Sequence, residues 1–206
     1  MNNSRFFSAK NVATLGVLLA LVIVLSVFGG TINIGTVSLN FSLIPIVLGA
    51  LVLGPLAGGI LGFANGAVVL FQVITGAGFY AVIWQNSPVV TVLVCLLKTT
   101  LAGVLAGFIY RAIAKKNGLV ATFVASGLVP VINTGIFVLG CLCMSNAVSI
   151  FQSSLPAEAG FEGMNVMLFI LVGLVTFNFF FEFAINLLLA PALHRVYTVV
   201  EKQFIK

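Results

Sequence analysis

Lys98 is a lone charge inside an otherwise apolar run, Pro88 to Arg111, PVVTVLVCLLKTTLAGVLAGFIYR. An ammonium at the middle of a bilayer costs about 2.5–3.5 kcal/mol on insertion scales, so groups inside the protein must hold it. Glu182 is the carboxylate of a second apolar run, and Asn178 and Asn186 flank it one helical turn away on either side. That spacing draws one polar stripe down one helix face, and lipid cannot be what the stripe faces. Asn65, Gln72 and Asn133 interrupt further apolar runs. One cation, one carboxylate and several amides offer hydrogen bonding and charge pairing. Two readings fit: Lys98 and Glu182 neutralise one another while the asparagines satisfy backbone groups freed at Pro130 and Pro45, or part of the cluster faces a ligand in a wet cavity.

Catalytic chemistry has little to build on. His194 is the only histidine, placed at the cytoplasmic end of a helix where a cation suits the dipole, and no H-E-x-x-H, G-x-S-x-G or P-loop is present. Cys95, Cys141 and Cys143 lack the spacing of a zinc site or a disulfide framework and read as small core residues. No cofactor and no metal are expected.

The elements that position these residues follow from composition. Of 206 residues, 61% are hydrophobic and 6% charged, against about 25% charged in a soluble domain. Mean hydropathy is +1.27. Apolar runs near the ~20 residues needed to cross a hydrocarbon core as helix, without alternating barrel strands, give an all-α membrane protein. Single-domain, six-transmembrane-helix spans are expected at 11–29, 41–53, 56–74, 88–112, 119–144 and 164–193. The net charge of +5 comes from residues scattered at helix ends rather than a patch, so the lipid bilayer and not nucleic acid is the expected partner. Arg5 and Lys10 precede the first run as in a signal peptide, but no A-x-A-like site follows, and the run reads as a retained first helix. Arg5, Lys10, Arg111, Lys115, Lys116, Arg195, Lys202 and Lys206 fall on one side, and the three opposite loops hold no Lys or Arg. By the positive-inside rule the N and C termini are cytoplasmic.

Rise per residue places Lys98 about 15 Å below Pro88, near the midplane, with Asn65 at a similar depth and Asn133 slightly outside it. Pro45 should kink the second span or mark its first turn, Gly54-Pro55 should turn the chain, and Pro130 should kink the fifth span. The loop at 30–40 should be extended or a short hairpin, and Ser145 to Gly163 a polar loop. Thr75 to Ser87 reads as a loop whose Phe79, Tyr80 and Trp84 are either an interfacial belt or a lid over a ligand. Candidate ligand contacts are therefore Lys98, Asn133 and Asn178, then Asn65, Glu182, Asn40 and Gln72, with Tyr80 and Trp84 as lid residues. Gly58, Gly62 and Gly66 form a small-xxx-small pattern for close helix contact. Ala9, Ala13, Gly16 and Ala20 form a second smooth stripe, suited either to contact within the bundle or to a separate protein.

Three stretches, FSLIPIVLGALVLGPLAGGILGFANG from Phe41, the Lys98 run, and NFFFEFAINLLLAPAL from Asn178, resemble the substrate-binding S components of energy-coupling factor (ECF) transporters. The resemblance spans most of the chain. It implies a vitamin-binding subunit of the cell membrane that joins a transmembrane coupling protein and two cytosolic ATPases. It also implies docking through an A-x-x-x-A face on the first helix, which Ala9 and Ala13 fit literally and the deeper Gly16 and Ala20 fit with Gly in first place. The loops after the first, third and fifth helices would close the site. A Lys98 left free would suit an anionic vitamin such as pantothenate, with riboflavin next, although the sixth-helix lysine pattern of riboflavin-specific members is missing. If Glu182 already pairs with Lys98, a neutral ligand fits equally well. The rivals are a proton-coupled secondary transporter, for which two inverted halves would be expected and no repeat is found, and a ligand-free membrane scaffold.

Overall fold

In lipid, backbone N–H and C=O groups must be satisfied within the segment that carries them, which makes helix the default for these apolar runs. The computed structural model describes residues 8–29, 33–34, 37–38 and 40–204. Arg5, Lys206 and much of the first loop, 30–40, lie outside the described residues. The long helices are α1 (Ala9–Gly29), α3 (Pro55–Thr75), α5 (Pro88–Ala114) and α6 (Gly118–Cys143). A fifth runs from α8 (Val166–Phe169) through a π-helical stretch, Ile170–Val175, into α9 (Thr176–Phe204). These five are long and apolar enough to cross a membrane. Strands β1 (Asn33–Ile34) and β2 (Val37–Ser38) pair antiparallel between α1 and the next helix.

The expected second span is shorter than a crossing. Its helix, α2 (Leu43–Val52), has 10 residues, a length of about 15 Å. Pro45 falls in its first turn, where a missing N–H breaks no intrahelical bond. At the other end Gly54 adopts φ +102°, with the Arg111 guanidinium where a Cβ would stand, so only glycine fits this turn. α2 is buried on nearly every side, including Ile46, Val47 and Ala50.

The glycine repeat does what its spacing suggests. A Cβ on Gly58, Gly62 or Gly66 would lie 2.2–2.5 Å from the carbonyl oxygens of Gly103, Thr99 and Cys95 respectively, so α3 and α5 touch backbone to backbone. Thr99 Oγ1 donates across this seam to the Gly62 carbonyl at 2.7 Å. The seam fixes the height and rotation of Lys98, which precedes Thr99. α6 then packs against both α5 and α9, passing through Pro130 as one unbroken helix.

Two segments expected to be loops contain helices. α4 (Phe79–Asn86) occupies most of the 75–87 stretch, between Gly76 and Gly78 on one side and Pro88 on the other. α7 (Ser145–Ser153) buries Ala147, Val148 and Phe151 on one face and is followed by a single 3₁₀ turn, Ala157–Ala159. Phe79 joins them, meeting Phe151 at 5.2 Å and Phe137 of α6 at 6.2 Å between ring centroids, both edge to face. Because α9 continues to Phe204, His194 is not at a helix end; its Nδ1 lies 3.3 Å from Thr122 Oγ1 on α6. Cys95 and Cys141 are buried, but Cys143 is exposed and is no core residue.

α1 turns Leu18, Val22, Ser26 and Gly29 into the bundle. Ala9, Ala13, Gly16 and Ala20 all face outward, and a Cβ on Gly16 would meet nothing within 4 Å. Among the described residues, then, the smooth stripe is not a contact within the bundle.

Candidate functional site

Lys98 is half-buried, and its Nζ stands 5.4 Å from the centroid of the Phe137 ring. A cation at that distance over an aromatic face is stabilised by about 0.5–2 kcal/mol, which offsets part of the cost of holding it in the bundle. Asn133 sits one turn before Phe137 on α6, so periodicity places it on the same face. From α9 come Asn178, Phe179 and Glu182, continuing the wall begun by Leu174 and Val175 of the π-helical stretch. A π-turn inserts an extra residue per turn and so re-aims the side chains that follow it. α3 adds Val69, Gln72 and Val73, and α4 covers one side with Tyr80 and Ile83.

Together these residues line a cavity with a free volume of about 70 Å³. That is below the ~300–1,000 Å³ usual for small-molecule sites, so a ligand of vitamin size requires the surrounding side chains to part. Its walls are mainly apolar, with Val94, Cys95 and Met144 beside Lys98 and the amides. Asn133, Asn178 and Glu182 are 5%, 7% and 7% exposed, so they are shielded from bulk solvent.

Glu182 and Lys98 share this cavity without a direct bridge. Glu182 Oε1 accepts the backbone N–H of Asn40 at 2.9 Å, and among the described residues no ion pair within 4 Å joins Lys98 to a carboxylate. Among the described residues the buried Asn133 Oδ1 has no hydrogen-bond partner. Mutual neutralisation by contact is therefore not what holds the two charges in place.

Asn65 lies behind the wall, not in it. Its Oδ1 accepts from Ser26 Oγ of α1 and from Ser42 Oγ, which precedes α2, so this fully buried amide ties three helices together. Ser42 Oγ is 2.5 Å from both Asn65 Oδ1 and Asn40 Oδ1, yet a hydroxyl has one proton to give. Turning the Asn40 amide so that Nδ2 donates to Ser42 Oγ satisfies both contacts and employs an otherwise unpartnered nitrogen. Asn186 is also spent internally, donating from Nδ2 to the Glu182 carbonyl at 2.8 Å.

Lys98, Asn133, Asn178, Glu182, Asn40, Gln72 and Tyr80 thus line one cavity. Asn65 does not, and neither does Trp84, which packs half-buried against the apolar cluster around Phe79 and Phe151. Sequence reasoning missed Ser26, Thr91, Thr134, Phe137 and Phe179, which also line it. For Phe137 a signal existed: it follows Asn133 at helical spacing. The others carry no mark distinguishing them from ordinary helix residues.

A family model described as "ECF transporter, substrate-specific component" matches residues 10–194. The chain belongs to this family. A search of curated proteins finds no match. As an ECF substrate-specific component, the chain is a membrane substrate-binding subunit of an ECF transporter. Every residue that lines the cavity falls within the matched stretch.

Proposed function

We propose that this S component captures a vitamin or related small metabolite in the cavity from outside a prokaryotic cell. It then passes the ligand inward while docked on a transmembrane coupling protein driven by two cytosolic ATPases. The observation that carries this reading is the convergence of Lys98, Asn133, Asn178 and Glu182 on one mainly apolar cavity, together with the family. Residues distributed merely to neutralise one another would be paired already.

The polarity of the helices supports the orientation. Lys10, Arg111, Lys115, Lys116, Arg195 and Lys202 belong to the helix ends remote from the cavity mouth, and the positive-inside rule assigns that end to the cytoplasm. On this reading α2 is a half-length sixth segment held by its neighbours, and both termini are cytoplasmic. The exposed stripe of Ala13, Gly16 and Ala20 serves as the docking face.

A Lys98 without a carboxylate in contact favours a ligand with an anionic group, so pantothenate ranks first and riboflavin next. The test is titration of the purified chain with a vitamin panel, followed by Trp84 fluorescence and by melting temperature, and repeated with Lys98→Met. Loss of a charge-assisted hydrogen bond should weaken binding by about 10- to 100-fold with little change in melting temperature. Intact affinity with a lowered melting temperature would instead make Lys98 a structural residue and overturn its assignment to ligand.

A further inference from the structure

The cavity holds two kinds of demand that one anionic group cannot meet. At one wall, on α5, Lys98 offers an ammonium whose contact is the face of Phe137. At another, on α9, Glu182 offers a carboxylate; Oε1 is taken by the Asn40 N–H, and its other oxygen has no hydrogen-bond partner among the described residues. Among the described residues no ion pair within 4 Å joins Lys98 to Glu182, so the ammonium and the carboxylate are not spent on one another by direct contact.

We infer that the substrate is dipolar, with an anionic or strongly accepting group for Lys98 and a distinct N–H or O–H donor for Glu182. The inference rests on the reading of this cavity as the substrate site. A ligand composed only of acceptors would return no hydrogen bond to the second Glu182 oxygen. Leaving buried acceptors unmatched is costly, most of all for a charged one. A ligand composed only of donors would leave the ammonium in the same position. The apolar residues beside these groups, among them Val94 and Met144, then take the body that connects the two ends.

The experiment uses the full chain in lipid nanodiscs and four carboxylate probes. Pantothenate and biotin carry a carboxylate and N–H or O–H donors, whereas lipoate and nicotinate carry a carboxylate and no donor. Binding is measured for the wild type and for Glu182→Gln, which keeps an oxygen to accept from the Asn40 N–H but removes the charge. The wild type should bind at least one donor-bearing probe at least tenfold more tightly than either donor-free probe. In Glu182→Gln that preference should shrink by about tenfold or more, the donor-bearing probe weakening while the donor-free probes hold or gain. A purely structural Glu182 would instead weaken all probes alike. Equal or tighter binding of the donor-free probes by the wild type, or uniform weakening in the variant, overturns the dipolar assignment and leaves the substrate-site reading intact. No binding by any of the four, with no response to the wider vitamin panel, overturns the substrate-site reading and this inference with it.

Discussion

Replacing Gly62 by Ala tests the seam on which the position of Lys98 depends. The added Cβ would stand 2.2 Å from the Thr99 carbonyl oxygen, 2.6 Å from its carbon and 2.8 Å from the Thr100 Cα. All three are backbone atoms, so no side chain can rotate away and α3 must part from α5. Overpacking of this kind costs about 1–3 kcal/mol. Loss of the 2.7 Å bond from Thr99 Oγ1 to the Gly62 carbonyl adds about 0.5–1.5 kcal/mol. The better helix propensity of Ala returns about 1 kcal/mol. The net is roughly 2 kcal/mol, or a melting temperature lower by about 4–8 °C for a chain of this size. Thermal unfolding in detergent or nanodiscs measures the shift, and ligand affinity should fall with it because Lys98 moves with Thr99. Gly135→Ala is the control, since a Cβ there meets nothing within 4 Å. A Gly62→Ala protein as stable as the Gly135→Ala protein would refute the backbone-to-backbone contact and the account of how Lys98 is positioned.

Other perturbations separate the remaining roles. Asn65→Ala orphans the buried Ser26 hydroxyl and removes one of the two partners of Ser42, which keeps Asn40, and should cost on the order of 1–3 kcal/mol in thermal unfolding, while any folded fraction retains near-normal ligand affinity. Lost binding at unchanged stability would place Asn65 in the site after all. Gly16→Trp adds bulk to an outward face, so melting temperature and ligand binding should stay as they are while co-purification with the coupling protein is lost. Retained co-purification would move the docking surface elsewhere. Phe137→Leu removes the aromatic face beneath Lys98 and should weaken ligand binding several-fold by freeing the ammonium from its resting position. An affinity equal to wild type would show that the ring does not position Lys98.

Much of the candidate site was legible along the chain because a charge or an amide in an apolar run is expensive wherever it falls. Lys98, Asn133, Asn178 and Glu182 announced themselves by that cost alone, and the glycine spacing on α3 announced a close contact because only a smooth face permits one. The membrane class followed from composition for the same reason. Periodicity assigns residues to the faces of one helix, but it says nothing of how that helix is rotated against its neighbours. Asn65 therefore ranked only a step behind Asn133, and only packing showed one amide turned to two serines and the other set in the cavity lining. The same limit left the stripe on α1 open between bundle and partner until Leu18, Val22 and Ser26 proved to be the inward face. Segments of two turns, such as α4 and α7, carry too few residues for a helical period to stand out, so the covers near the site read as loops. Sequence by itself determined which residues are too costly to waste in a membrane. Tertiary structure decided which of them meet, because convergence depends on contacts between helices that are distant along the chain.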